Sequence, residues 1–154
     1  MDESTSPVPD LNWEKYIKAG HHETAVEQLW LFAVDDHHRV RRRVAENPIC
    51  PEDILRALSI DEHVDVRIAV AEHPNTPCDV LIKLSNDENG DLRYALAENP
   101  NMPVELISRL TEDDNPYVCH RALRTLRSLQ PASIAEFKLR PTFNSIKYGN
   151  KNGN

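Results

Sequence analysis

Apolar positions along this chain form short helical stripes broken by polar corners. Ile54, Leu55 and Leu58 recur at i, i+1 and i+4, and after a polar interruption Val66, Ala69 and Val70 form a second stripe. The first predicts a helix of about two turns. Pro51 precedes it and suits the first helical position, where its missing N–H would have no partner in any case. Ser59 with Glu62 has the S-x-x-E spacing of a capping box, which predicts the start of the second helix there, with Asp61 as a competing cap. Pro74 disfavours helical geometry at His73 and closes that helix.

The pattern recurs without insertion. Asp35, Asp61, Asp87 and Asp113 stand 26 residues apart, as do Leu29, Leu55, Leu81 and Ile107, then Phe32, Leu58, Leu84 and Leu110. Val40-Arg41, Val66-Arg67 and Leu92-Arg93 keep the same step, as do the segments ending at Pro48, Pro74 and Pro100. Residues 51–76 and 77–102 are identical at 14 of 26 positions, a density that only repetition explains. Four units follow, 25–50, 51–76, 77–102 and 103–128. Ser85 with Glu88, and Thr111 with Asp114, repeat the capping-box spacing.

Helices this short cannot bury an apolar stripe unless a neighbouring pair covers them, so the pattern predicts an all-α solenoid of four two-helix repeats. The alanine columns, Ala69 with Ala95 and Ala45 with Ala71 and Ala97, predict close helix approach, and Leu81→Ala is expected to open a cavity within the array. Capping helices are expected at both ends. Leu11–Ala19 is amphipathic and closed by Gly20, with Trp13, Tyr16 and Ile17 placed to cover the first unit, and Thr24 with Glu27 predicts the next helix start. Pro131–Leu139, with Ser133 and Glu136, reads as the C-terminal cap. The expected organisation is one repeat domain over 11–140, a disordered N-terminus over 1–10, and a disordered Asn/Gly/Lys-rich tail over 141–154.

Composition narrows the classes. The chain has 154 residues, 40% hydrophobic, enough for a core of its own. No apolar run reaches the roughly 20 residues needed to cross a bilayer, and the acidic, Pro-containing N-terminus lacks the pattern of a signal peptide, so a soluble cytoplasmic protein is expected. Cys50, Cys78 and Cys119 lie far apart with no CxxC, which encodes neither a disulfide framework nor a thiolate metal site. A net charge of −7, concentrated at −4 in residues 51–76 and −3 in 77–102, opposes attraction to nucleic acid or anionic lipid.

The phrase NPxxP followed by L-x-x-L-x-x-D-x-x-x-x-VR-x-x-VAENP resembles the leucine-rich repeat variant family of bacterial proteins, over Ala25–Ser128. The resemblance implies pairs of short helices in a right-handed superhelix related to HEAT repeats. The Asp-to-Arg spacing at Asp35/Arg41, Asp61/Arg67 and Asp87/Arg93 also resembles the Asp/Arg ladder that links HEAT repeats; Cys119 stands where the fourth Arg would, so the ladder is expected to stop there. Some family members bind an iron–sulfur centre through an N-terminal Cys cluster. This chain has no Cys before Cys50, and no cofactor is carried over. Other HEAT-like solenoids are scaffolds, pigment lyases or DNA-alkylation glycosylases, and fold alone does not choose among them.

Function is sought where equivalent positions differ. On the second helix of each unit one face carries Arg39, Asp65, Asp91 and Tyr117, then Arg42, Ile68, Tyr94 and His120, then Glu46, Glu72, Glu98 and Arg124. By resemblance to HEAT repeats this face is concave. Arg39, Arg42, Ile68, Tyr94, Tyr117 and His120 are therefore the expected binding residues for a protein or peptide partner, Tyr and Arg being favoured anchors. The basic run His37–Arg43 reads either as an anion site or, more simply, as Arg41 in the ladder with the other arginines balancing Asp35, Asp36 and the acidic middle units. A nucleic-acid binder using Arg39, Arg42, Arg43, Arg121, Arg124 and Arg127 is the alternative, and a cofactor- or ligand-handling accessory protein a third. His37 and His63 share a column whose next members are Asn89 and Asn115, so no third metal ligand is fixed beside them and no metal site is expected. The pair His21-His22 reads as a solvent-facing loop. Each Cys lies in a different column, no nucleophile–base pair is specified, and the expected role is non-catalytic.

Overall fold

A computed structural model describes residues 11–99 and 101–129. The expected C-terminal helix over 131–139, and the segments 1–10 and 141–154, lie outside the described residues. Within them all regular structure is helical: α1 (Trp13–Ala19), α2 (Val26–Ala33), α3 (His38–Ala45), α4 (Glu52–Leu58), α5 (Val64–Glu72), α6 (Cys78–Leu84), α7 (Gly90–Glu98), α8 (Val104–Leu110) and α9 (Pro116–Ser128). No described helix is long and apolar enough to cross a membrane.

Helices α1, α3, α5, α7 and α9 lie in a row, each against the next, while α2 packs on α3, α4 on α5 and α8 on α9. Their apolar stripes meet in one core. Leu29, Ile54, Leu55, Val66, Val70, Leu92, Leu96, Ile107 and Val118 are sealed from solvent there. Leu81 is only half-buried, so the deep spine runs through its equivalents Leu29, Leu55 and Ile107. Ala45, Ala71 and Ala97 are buried where adjacent helices of the row approach, whereas Ala95 is half-buried.

Helix boundaries correct the expected capping boxes. The hydroxyls of Ser59, Ser85 and Thr111 donate to Arg56 O, Ile82 O and Ser108 O, closing the preceding helix rather than opening the next. The second helices begin with an aspartate turn instead. Asp35, Asp61, Asp87 and Asp113 each accept, through Oδ1, the N–H two residues on, at 2.8–3.0 Å. His37, Asn89 and Asn115 then cap α3, α7 and α9 with their side chains. A short polar side chain satisfies the first bend in all four units, which is why Asp holds it throughout; the cap position is filled by Asn in two units and by His37 and His63 in the others, His63 making no side-chain cap. Pro51, Pro77 and Pro103 sit at the N-cap, one residue before the first helical position. Thr24 likewise makes no capping box; its hydroxyl donates to Lys18 O.

Successive units are tied by two polar columns. In the first, the guanidinium groups of Arg41, Arg67 and Arg93 form two-pronged pairs with Asp61, Asp87 and Asp113, each 20 residues on, with N–O distances of 2.6–3.0 Å. The third nitrogen of each Arg donates to the backbone oxygen of the Asp six residues before it, Asp35, Asp61 and Asp87. Each rung thus fastens one unit's Asp turn and pairs with the next unit's carboxylate. Lys15 stands one period before Arg41 and makes the same link to Asp35 at 2.6 Å, so α1 occupies the place of a second helix. At the other end Cys119 replaces the Arg, and its thiol donates to Thr111 O at 2.9 Å.

The second column is buried. Asn47 Nδ2 donates to Ala19 O and His21 O, His73 Nε2 to Asn47 O, and Thr125 Oγ1 to Ala97 O; Ala19 O and Ala97 O are helix-end carbonyls, while His21 O and Asn47 O gain a second donor beside the N–H of Thr24 and Cys50. Asn47 is fully buried, and its Oδ1 accepts Ile49 N–H as well.

Candidate interaction surface

The row of second helices presents one edge to solvent. Arg39 and Arg42 lie on α3, Ile68 on α5, Tyr94 on α7, and Tyr117 and His120 on α9. These helices are consecutive neighbours, so the fold brings the six residues, drawn from two columns, onto adjacent elements. Tyr117 is 77% exposed and Tyr94 37%, while Ile68 is half-buried against the core and supplies a floor rather than an anchor. Arg39, Arg42 and His120 are exposed.

Two residues extend the strip that its variable columns did not include. Trp13 and Tyr16 stand one period before Arg39 and Arg42, so the register itself carries the signal. Trp13 is 65% exposed and meets Tyr16 edge-to-face, with ring centroids 5.6 Å apart. Trp13 and Ile17, at 63%, therefore face outward instead of covering the first unit as expected; only Tyr16 turns in. The Arg43 guanidinium lies 5.6 Å from the centre of the Tyr16 ring. Gly20 makes room for it, since a Cβ there would fall 2.1 Å from Arg43 Nε.

The basic run is largely engaged. Arg41 belongs to the ladder, while Arg42 and Arg43 both pair with Glu46, at 2.7 and 3.0 Å. Asp35 is held by Lys15, so the balancing partners of these arginines are Glu46 and the next unit's Asp61. On α9, Arg121 pairs with Glu98 at 2.9 Å. Of the six arginines named for the nucleic-acid alternative, Arg42, Arg43 and Arg121 are paired with carboxylates.

Ionisation follows the packing. Burial opposes a charge on Asp61 and Asp87, but Arg41 and Arg67, helped by backbone N–H groups, hold both carboxyls below their ordinary range. Burial pushes the Cys50 thiol up to about 12, which leaves it unreactive. Desolvation lowers His73 as well, against the support of Asn47 O. Its ring is committed: Nε2 donates to Asn47 O while Nδ1 accepts Asn75 N–H, which defines the neutral tautomer.

A histidine cluster forms beside this strip between α3 and α5. His38 and His63 stack with centroids 3.7 Å apart and planes within 8°, and His37 stacks on His38 at 5.2 Å. Desolvation first, then the neighbouring His63 and His37, lowers His38 below the ordinary histidine value. Asp65, in the first turn of α5, brings its carboxylate to the same place. Comparison within one column paired His37 with His63 and missed this group, because it is built across adjacent columns.

No protein-family model matches the chain, and no curated protein or solved structure matches it significantly.

Proposed function

We propose that this chain is a non-catalytic protein-interaction module, a right-handed α-solenoid of four two-helix units resembling the leucine-rich repeat variant type. Its concave side would offer Arg39, Arg42, Tyr94, Tyr117 and His120 to a partner protein or peptide, with Ile68 as an apolar floor. The observation that carries the reading is the exposure of Tyr117, at 77%, and of Tyr94 on a row of helices whose opposite faces are sealed in the core. Amphipathic rings on a fixed backbone bind at a small entropic cost. The repeating Arg–Asp rungs support the solenoid reading, because they place each unit against the next by the same contacts.

Panning a displayed peptide library against the full chain tests the proposal. Selected peptides are then titrated against Tyr94→Ala, Tyr117→Ala and Arg42→Ala. Loss of at least about tenfold in affinity for one of the tyrosine variants is expected, the cost of a modest interface anchor. Unchanged affinity in all three would remove this surface from consideration.

A further inference from the structure

The cluster at the α3–α5 junction carries an inference independent of the binding surface. We propose that His38, His63 and Asp65 form a binding site for a late first-row divalent cation, with Zn²⁺ the representative ligand. His38 opens α3, His63 is the N-cap of α5, and Asp65 lies in the first turn of α5, so one cation would clasp two successive units. One donor atom from each of the three residues lies within 4.8 Å of the others. Ligand atoms around tetrahedral zinc stand about 3.3 Å apart, given metal–nitrogen distances of about 2.0–2.1 Å. Closing the widest gap takes a shift of at most about 1.5 Å. His63 and Asp65 are exposed and free of core packing, whereas His38, half-exposed, gives up part of its stacking on His37 and His63 when it turns.

The donor set selects the metal class. Two imidazoles and one carboxylate suit zinc and its neighbours better than calcium or magnesium, which prefer oxygen throughout. Three protein ligands leave the fourth position to water. The rings lie parallel, 3.7 Å apart, so one ion can be shared only once they splay out of the stack, each turning a nitrogen lone pair toward it; neither ring forms a hydrogen bond to another protein group among the described residues that would oppose this. Asp65 is likewise in no ion pair among the described residues, although Arg39 and Arg42 occupy nearby turns of α3.

The test uses the full chain stripped with chelator, with zinc chloride competed against a chromophoric chelator at neutral pH. One equivalent is expected to bind the wild type. His38→Ala and His63→Ala should each weaken binding at least tenfold, and Asp65→Asn severalfold. A His21→Ala/His22→Ala/Cys78→Ser variant, lacking the other exposed donors, should bind as the wild type does. As a readout that needs no variant to fold, the imidazole nitrogens of the wild type are followed by NMR during the titration. Two of the seven histidines should shift together. Absence of binding at 100 micromolar zinc (on the order of the weakest affinity worth the name of a site), survival of full affinity in both histidine variants, or shifts confined to His21 and His22 would each overturn the proposal.

Discussion

Replacing Arg67 by Met removes the central rung while keeping an unbranched side chain of similar reach. The guanidinium donates to Asp87 Oδ2 at 2.8 Å and Oδ1 at 3.0 Å, to Asp61 O at 2.7 Å and to Glu62 O at 3.3 Å. The variant leaves the Asp87 carboxylate, 11% exposed, with only the Asn89 N–H as a described donor. Breaking a buried pair from one side costs about 3–5 kcal/mol. Some water reaches this rung, which lowers the expectation to about 2–4 kcal/mol. Against a typical total of about 5–15 kcal/mol that is a large fraction, equivalent to a fall of about 6–12 °C in Tm for a chain of this size. Urea unfolding followed by circular dichroism measures it. Asp87→Asn keeps the turn acceptor while removing the charge, and the double variant closes a cycle whose expected coupling is at least about 1.5 kcal/mol. Arg56→Ala is the control: its partner Asp79 is 56% exposed, and no measurable change in midpoint is expected. If Arg67→Met shifts stability by less than about 1 kcal/mol, or the two substitutions are additive within about 0.5 kcal/mol, the ladder does not hold the units together.

Three further outcomes are expected. Leu55→Ala, at a fully buried position, should cost about 2–5 kcal/mol in the same assay, and half-buried Leu81→Ala measurably less; equal losses would contradict the placement of the spine. Asn47→Ala strands the carbonyl of Ala19, removes one of the two donors to His21 O and should cost about 1–3 kcal/mol, with faster amide hydrogen exchange in α1 than in α5 as its signature. His73 and His38 both have lowered pKa values in the folded state, so their contribution is fully present above the unfolded histidine pKa of about 6.5 and declines as pH falls from there toward the folded values. His73→Asn, which takes the residue found at Asn47 and Asn99, should flatten that slope in a pH series of urea melts; an unchanged slope would exclude His73 as its source. The carboxylates of the rungs act lower, with stability lost as pH falls through their depressed values below about 4.

The 26-residue period, the helical character of every described element and the residues that make up the ladder were legible in the sequence, because identical residues at a fixed step must meet identical neighbours. Ser59 and Glu62 misled for a physical reason. A serine hydroxyl competes equally for the carbonyl behind it and the amide ahead, and Asp61 had already taken the turn. Trp13 and Ile17 misled because an amphipathic stripe states that one face is apolar without stating that anything covers it. Sequence alone determined the repeat, its polar punctuation and the register that makes Lys15 the first rung. Only the tertiary structure decided that each Arg reaches forward to the next unit's aspartate while gripping its own unit's backbone, and that His38, His63 and Asp65 share one place. Those groups belong to different columns and different helices, and their separation is set by how adjacent helices pack, a distance that no spacing along the chain contains.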